Sequence, residues 1–131
     1  MDLVVRPEAD PAQVLSVVTA AGGLLAHTLD GTVDDVRAYH DGPCDPGGFA
    51  AMGVAELVLH THDICRGLGL DRQVPEHTSH YVLHWLFPDA PQEPDADAED
   101  VLLWCTGRGE LAGHPRRTSW EWRPAGPEWL D

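Results

Sequence analysis

Apolar residues recur along the chain in segments long enough for helices, separated by residues that form turns. The first segment covers 12–29, where Asp10 and Pro11 supply an N-cap and a first-turn proline. Thr32 is placed to cap a second, short helix that runs to Tyr39. A dense run of turn residues, HDGPCDPGG at 40–48, then predicts a loop.

The longest apolar segment predicts a central helix from Asp45 or Pro46 to Gly67, with the same cap-and-proline start. Two further helices follow, over 75–87 and 99–108, separated by a proline- and acid-rich loop. The motif SWEWRP at 119–124 alternates aromatic and charged residues, so it is either a strand or an extended arm. The pattern predicts one all-α domain over 1–131, a helical bundle with a short irregular or extended C-terminal arm.

The charge of the chain narrows the classes of partner. Its 22 acidic residues outnumber eight arginines, lysine is absent, and the net charge is −14. Such a chain is repelled by nucleic-acid phosphates and anionic membranes. With neither a transmembrane segment nor a signal peptide recognised in the sequence, we expect a cytoplasmic protein that acts on a small molecule, although improved solubility explains the charge equally well. The absence of lysine is typical of a GC-rich bacterial genome.

The three cysteines predict no disulfide framework and no thiolate zinc site. They are Cys44, Cys65 and Cys105, an odd number without a CxxC pair. Reduced thiols in the cytosol are expected, with Cys65 and Cys105 serving as packing residues in apolar segments.

The central helix also carries the candidate chemistry. Glu56, His60 and Asp63 have the spacing that places side chains on one helical face. A carboxylate and an imidazole four residues apart suit zinc, iron, nickel or manganese, although a catalytic site needs a further protein ligand and an open position. A simple Glu–His hydrogen bond is the alternative. Asp63 could orient His60 as an outer carboxylate, or pair with Arg66 or Arg108.

Other candidates are weaker. His77, His80 and His84 form a rival imidazole cluster, but the apolar residues of that segment favour a surface position for them. Arg108, at a helix end, could hold a substrate carboxylate or form a structural ion pair. The tryptophans at 104, 120 and 122 either line a pocket or belong to the core. The sequence has no Ser–His–Asp motif, glycine-rich phosphate loop or dinucleotide fingerprint.

The segment FAAMGVAELVLHTHDICRGLGL, at 49–70, resembles the metal-binding helix of the DinB/YfiT-like superfamily. More narrowly, it is similar to the mycothiol-dependent maleylpyruvate isomerase group of actinobacterial proteins. That group has an acid, three residues, a His-Thr-aromatic-Asp run and then a Leu-Gly pair. This chain departs from the pattern at His62, where an aromatic residue is usual. Three further segments match, namely WLFPDAP at 85–91, LLWCTGRGEL at 102–111 and RRTSWEWRP at 116–124.

The resemblance implies a four-helix bundle that holds a divalent metal, zinc or nickel/iron, through three residues. Glu56 and His60 match two of them, whereas the third is a histidine on an earlier helix that this chain lacks. The chain therefore resembles an N-terminally truncated, partial bundle, and two copies could supply the missing layer to each other as a homodimer. His27 and His40 cannot simply be assigned as the missing ligand.

The resemblance also implies a reaction. The metal would bind a low-molecular-weight thiol, mycothiol in the family, and lower its pKa, and the thiolate would attack a small electrophile. Asp63 would orient His60, and Arg108 would hold an acidic group of the substrate. Whether this chain is an enzyme stays open. The alternatives are an inactive helical remnant or interaction module without metal, and a metal store built on the histidines of 77–84.

Overall fold

The computed structural model describes residues 5–40, 42–72 and 74–123. These residues fall into two compact units, divided between Thr32 and Val33. Four helices lie in the described ranges: α1 (Pro11–Asp30), α2 (Pro46–Leu68), α3 (Glu76–Leu86) and α4 (Ala98–Cys105). A two-stranded antiparallel ladder joins β1 (Ala38–Tyr39) to β2 (Pro43–Cys44). The predicted all-α class is confirmed. The described part of the 119–124 motif, 119–123, is an irregular arm rather than a strand.

The first unit consists chiefly of α1, which begins where the sequence predicts. The Asp10 carboxylate accepts a hydrogen bond from the Gln13 N–H at 2.8 Å, and the Gln13 amide oxygen accepts one from the Asp10 N–H at 3.0 Å. This reciprocal capping box satisfies two backbone donors that a helix start leaves free. None of the α1 residues is buried, and even the apolar side chains of Leu15 and Leu24 are more than 60% exposed.

Helix α1 bears on the expectation that the chain contains no transmembrane segment. Of the helices in the described residues, α1 is the one that is long and apolar enough to cross a membrane, with a mean hydropathy of 1.4. A signal sequence or an apolar core helix has the same length and composition, so the cytoplasmic location and the absence of a membrane partner stay predictions.

The prediction of a short helix from Thr32 to Tyr39 is wrong. The Thr32 hydroxyl donates to the Thr28 carbonyl at 2.7 Å, so it completes the end of α1 instead of capping a new helix. A turn follows, with the Val36 N–H donating to the Val33 carbonyl, and the chain then enters β1.

The second unit has its core between α2, α3 and α4. Helix α2 begins at the Asp45 cap, whose carboxylate accepts from the Gly48 N–H at 2.7 Å, and ends at Gly69 in the left-handed conformation (φ 67°). It buries one face, formed by small and apolar residues. Those residues are Gly48, Ala51, Met52, Ala55 and Leu59. Ala51, Met52, Ala55 and Leu59 pack in one cluster with Val82, Leu86, Phe87 and most of α4.

Candidate functional site

Glu56, His60 and Asp63 lie together on an exposed stripe of α2 that flanks its buried face. Glu56 Oε2 is 2.9 Å from His60 Nε2, and Asp63 Oδ2 is 3.9 Å from His60 Nδ1. The side chains of Glu56 and His60 are 53% and 66% exposed. The structure therefore brings the predicted acid and imidazole into direct contact, which is also the geometry of the alternative, a simple Glu–His hydrogen bond.

The contact has consequences for metal binding. Two ligand atoms held tetrahedrally at about 2.0–2.2 Å from zinc stand roughly 3.3–3.5 Å apart, slightly more than the 2.9 Å between Glu56 and His60. Both side chains are more than half exposed, so a small rotation admits an ion. Within the described residues, however, no group of three or more His, Cys, Asp or Glu side chains could hold a metal ion. The fit to a metal is therefore partial, since the described part of the chain supplies two ligands and not a third.

Asp63 is bonded to Arg108, which comes from the segment after α4. Arg108 Nε lies 3.1 and 3.2 Å from the two Asp63 carboxylate oxygens, and its terminal nitrogen Nη2 lies 3.0 Å from Oδ2. These hydrogen bonds are the main reason that the pKa of Asp63 is lowered. Arg108 also lies over the Trp120 ring at 5.9 Å. The ion pair matches the structural alternative for both residues, and their catalytic roles stay predictions.

His62, the departure from the family motif, is half-buried beside the ion pair of Arg72 with Glu99. Burial is the first cause that lowers the pKa of His62, and the Arg72 charge is the second. Its Nε2 atom is buried without a hydrogen-bond partner, as is Arg72 Nε. Nothing local in the sequence indicated this cluster, because Glu99 lies 27 residues beyond Arg72.

The rival histidines of α3 are exposed, as predicted. His80 Nε2 lies 3.5 Å from the Glu76 carboxylate, and the His84 ring meets the edge of Trp85 at 5.8 Å. His40, which precedes α2, has its ring 6.5 Å from that of Phe49. Of the three tryptophans, Trp104 is 8% exposed and belongs to the core, whereas Trp120 is 38% exposed and borders a polar depression with Arg117 and Arg123.

Two of the three thiols are unsuited to nucleophilic chemistry. Cys44 and Cys105 are buried, and burial raises the pKa of each to about 11. Asp45 adds to the shift at Cys44, and Arg37 opposes it. Because a thiol reacts as its thiolate, both side chains act as packing residues at neutral pH.

We expect only one thiol to react with a disulfide reagent such as Ellman's reagent at pH 8 in the native protein. Cys65 is half-buried on α2, whereas Cys44 and Cys105 are 1% and 0% exposed and stay protonated well above that pH. Cys65→Ser should remove the fast phase, and denaturant should restore two reactive thiols in that variant. Equal reaction rates for all three native thiols would contradict this expectation.

Comparison with known proteins adds no relative. No family model matches the chain, and neither a curated protein nor a solved structure matches it. The resemblance to the DinB/YfiT-like superfamily therefore depends on the motif residues alone.

Proposed function

We propose that this chain binds a divalent metal ion through Glu56 and His60, as a relative of thiol-dependent isomerases and transferases. The observation that carries the proposal is the 2.9 Å approach of Glu56 Oε2 to His60 Nε2 on an open helical face. Carboxylate and imidazole ligands suit zinc, nickel or iron. A metal bound there would lower the pKa of a coordinated low-molecular-weight thiol, such as mycothiol, for attack on a small electrophile.

The residues around the pair support a positioning role. Arg108 holds the Asp63 carboxylate through three hydrogen bonds, next to the second ring nitrogen of His60. A carboxylate at that nitrogen favours the tautomer that leaves Nε2 free to bind an ion. The 3.9 Å separation is longer than a hydrogen bond, so Asp63 would act on His60 through its charge or a bridging water.

A second copy of the chain is the proposed source of the missing ligand. Leu57, Ile64 and Leu68 are each more than half exposed on α2, the helix that carries Glu56 and His60. Exposed apolar residues beside an incomplete polar site favour association of two chains there. A monodisperse monomer in light scattering, both with and without zinc, would count against this homodimer.

Metal content after reconstitution tests the proposal. Zinc, nickel or iron should remain near one ion per chain after dialysis of the native protein, measured by elemental analysis. Glu56→Ala/His60→Ala should lose at least about 90% of it, because a site with its main ligands removed does not retain a metal. The matched control, His80→Ala/His84→Ala, should retain it.

The remaining outcomes separate the alternatives. Metal lost only from the His80/His84 variant would favour a histidine-based metal store. A native protein that takes up no metal would favour the inactive remnant or interaction module, which the lack of a third ligand among the described residues also favours. Either result would overturn the proposed function.

A further inference from the structure

A cleft lies between the C-terminal half of α3, the loop that follows it and the start of α4. Its volume is about 350 Å³, at the lower end of the range for small-molecule sites. Leu83, Phe87, Ala98 and Val101 form its apolar wall. Phe87, Ala98 and Val101 are each at most 5% exposed, so this wall is part of the packed core.

The charged side chain in the cleft is a carboxylate, and its other polar side chains are Gln92 and two imidazoles. Glu93 lines it, together with the imidazoles of His80 and His84. Among the described residues that line the cleft, none is arginine, and the chain has no lysine at all. The charge of −14 on the whole chain adds to the preference for a cation.

The Glu93 carboxylate retains capacity for a ligand. Its Oε1 atom lies 2.7 Å from His114 Nε2, and the His114 ring packs edge-on against Trp104 at 5.2 Å. A carboxylate has about four acceptor positions, so one histidine does not exhaust it. The side chain is 38% exposed, which keeps it accessible at the mouth of the cleft.

We propose that this cleft binds a small organic amine, with its ammonium group at Glu93 and its apolar body against Leu83, Phe87 and Val101. An aliphatic ammonium with a pKa near that of lysine, about 10.4, is charged at neutral pH. It donates up to three hydrogen bonds, which the Glu93 carboxylate and the amide oxygen of Gln92 can accept. An organic anion of the same shape meets a carboxylate, with no arginine or lysine among the described residues of the cleft to oppose it. This site is separate from Glu56 and His60 and does not depend on the proposed function.

The test is a titration of ¹⁵N-labelled protein with 2-phenylethylamine at pH 7.5 with EDTA present. Binding is monitored through the amide chemical shifts. EDTA excludes a metal held by His80 and His84. We expect saturable shifts around Leu83 and Val101 with a dissociation constant of about 1 mM or tighter. The near-isosteric acid 3-phenylpropionate should bind at least about tenfold more weakly.

Two variants separate the ammonium contact from a structural role of Glu93. Glu93→Gln should weaken binding of the amine by about tenfold and leave the acid no weaker. His114→Phe removes the partner of Glu93 but keeps a ring against Trp104, so it should retain binding of the amine. Equal affinity for amine and acid, an unchanged affinity in Glu93→Gln, or no saturable shift up to about 10 mM amine would each overturn the proposal.

Discussion

Replacement of Leu102 with alanine is expected to lower the free energy of unfolding by about 2–5 kcal/mol. Leu102 is 0% exposed on α4 and belongs to the cluster that joins α2, α3 and α4. The truncation removes buried methyl groups and leaves a cavity in a closely packed region. Because small domains are stable by about 5–15 kcal/mol in total, this single change can bring the protein close to unfolding at room temperature.

Urea denaturation followed by circular dichroism measures the effect. Leu57→Ala is the matched control, since Leu57 is 52% exposed on α2 and should change the free energy of unfolding by less than about 0.5 kcal/mol. Similar losses in the two leucine variants would contradict the core that the structure assigns to α4.

Gly47→Ala is expected to lower the free energy of unfolding by about 1–3 kcal/mol through overlap with Trp85. A Cβ atom on Gly47 would lie 2.5 Å from two carbons of the Trp85 indole. The half-buried indole cannot move away freely, because Tyr81 packs near it and donates a hydrogen bond to the Gly47 carbonyl at 3.2 Å.

A second glycine of the same helix provides the control. Nothing lies within 4 Å of a Cβ atom on Gly67, so Gly67→Ala should raise the free energy of unfolding by about 0.5–1 kcal/mol. In the double variant Gly47→Ala/Trp85→Leu, the loss should be smaller than the sum of the two single losses, because the smaller side chain relieves the overlap. Additive losses would contradict a direct contact between the two positions.

The helix ends were predictable because the interactions that set them are local. Asp10 with Pro11, Asp45 with Pro46, and Pro75 each mark a helix start at the predicted place. The Asp10 and Asp45 side chains each cap a backbone N–H three residues away, whereas Pro75 marks its helix start without a side-chain cap, through its fixed φ. The same reasoning failed at Thr32, whose hydroxyl had two possible backbone partners, one on each side.

The predicted end of the last helix was also wrong, because a local turn ends the helix early. It ends at Cys105 rather than Arg108, since Gly107 adopts a left-handed conformation (φ 69°). The N–H groups of Arg108 and Gly109 then both donate to the Leu103 carbonyl, at 2.8 and 3.0 Å. This turn releases Arg108 from the helix and allows its side chain to reach Asp63.

The sequence by itself determined the helical class, most helix boundaries and the alignment of Glu56, His60 and Asp63 on one face, since helical spacing alone dictates which residues share a face. The tertiary structure alone decided the partner of Asp63 among His60, Arg66 and Arg108, because Arg108 is 45 residues distant in the chain. It likewise decided that α3, its following loop and α4 enclose a cleft with Glu93 at its edge. Such long-range contacts depend on how helices pack, and no local hydrogen bond or periodicity encodes that packing.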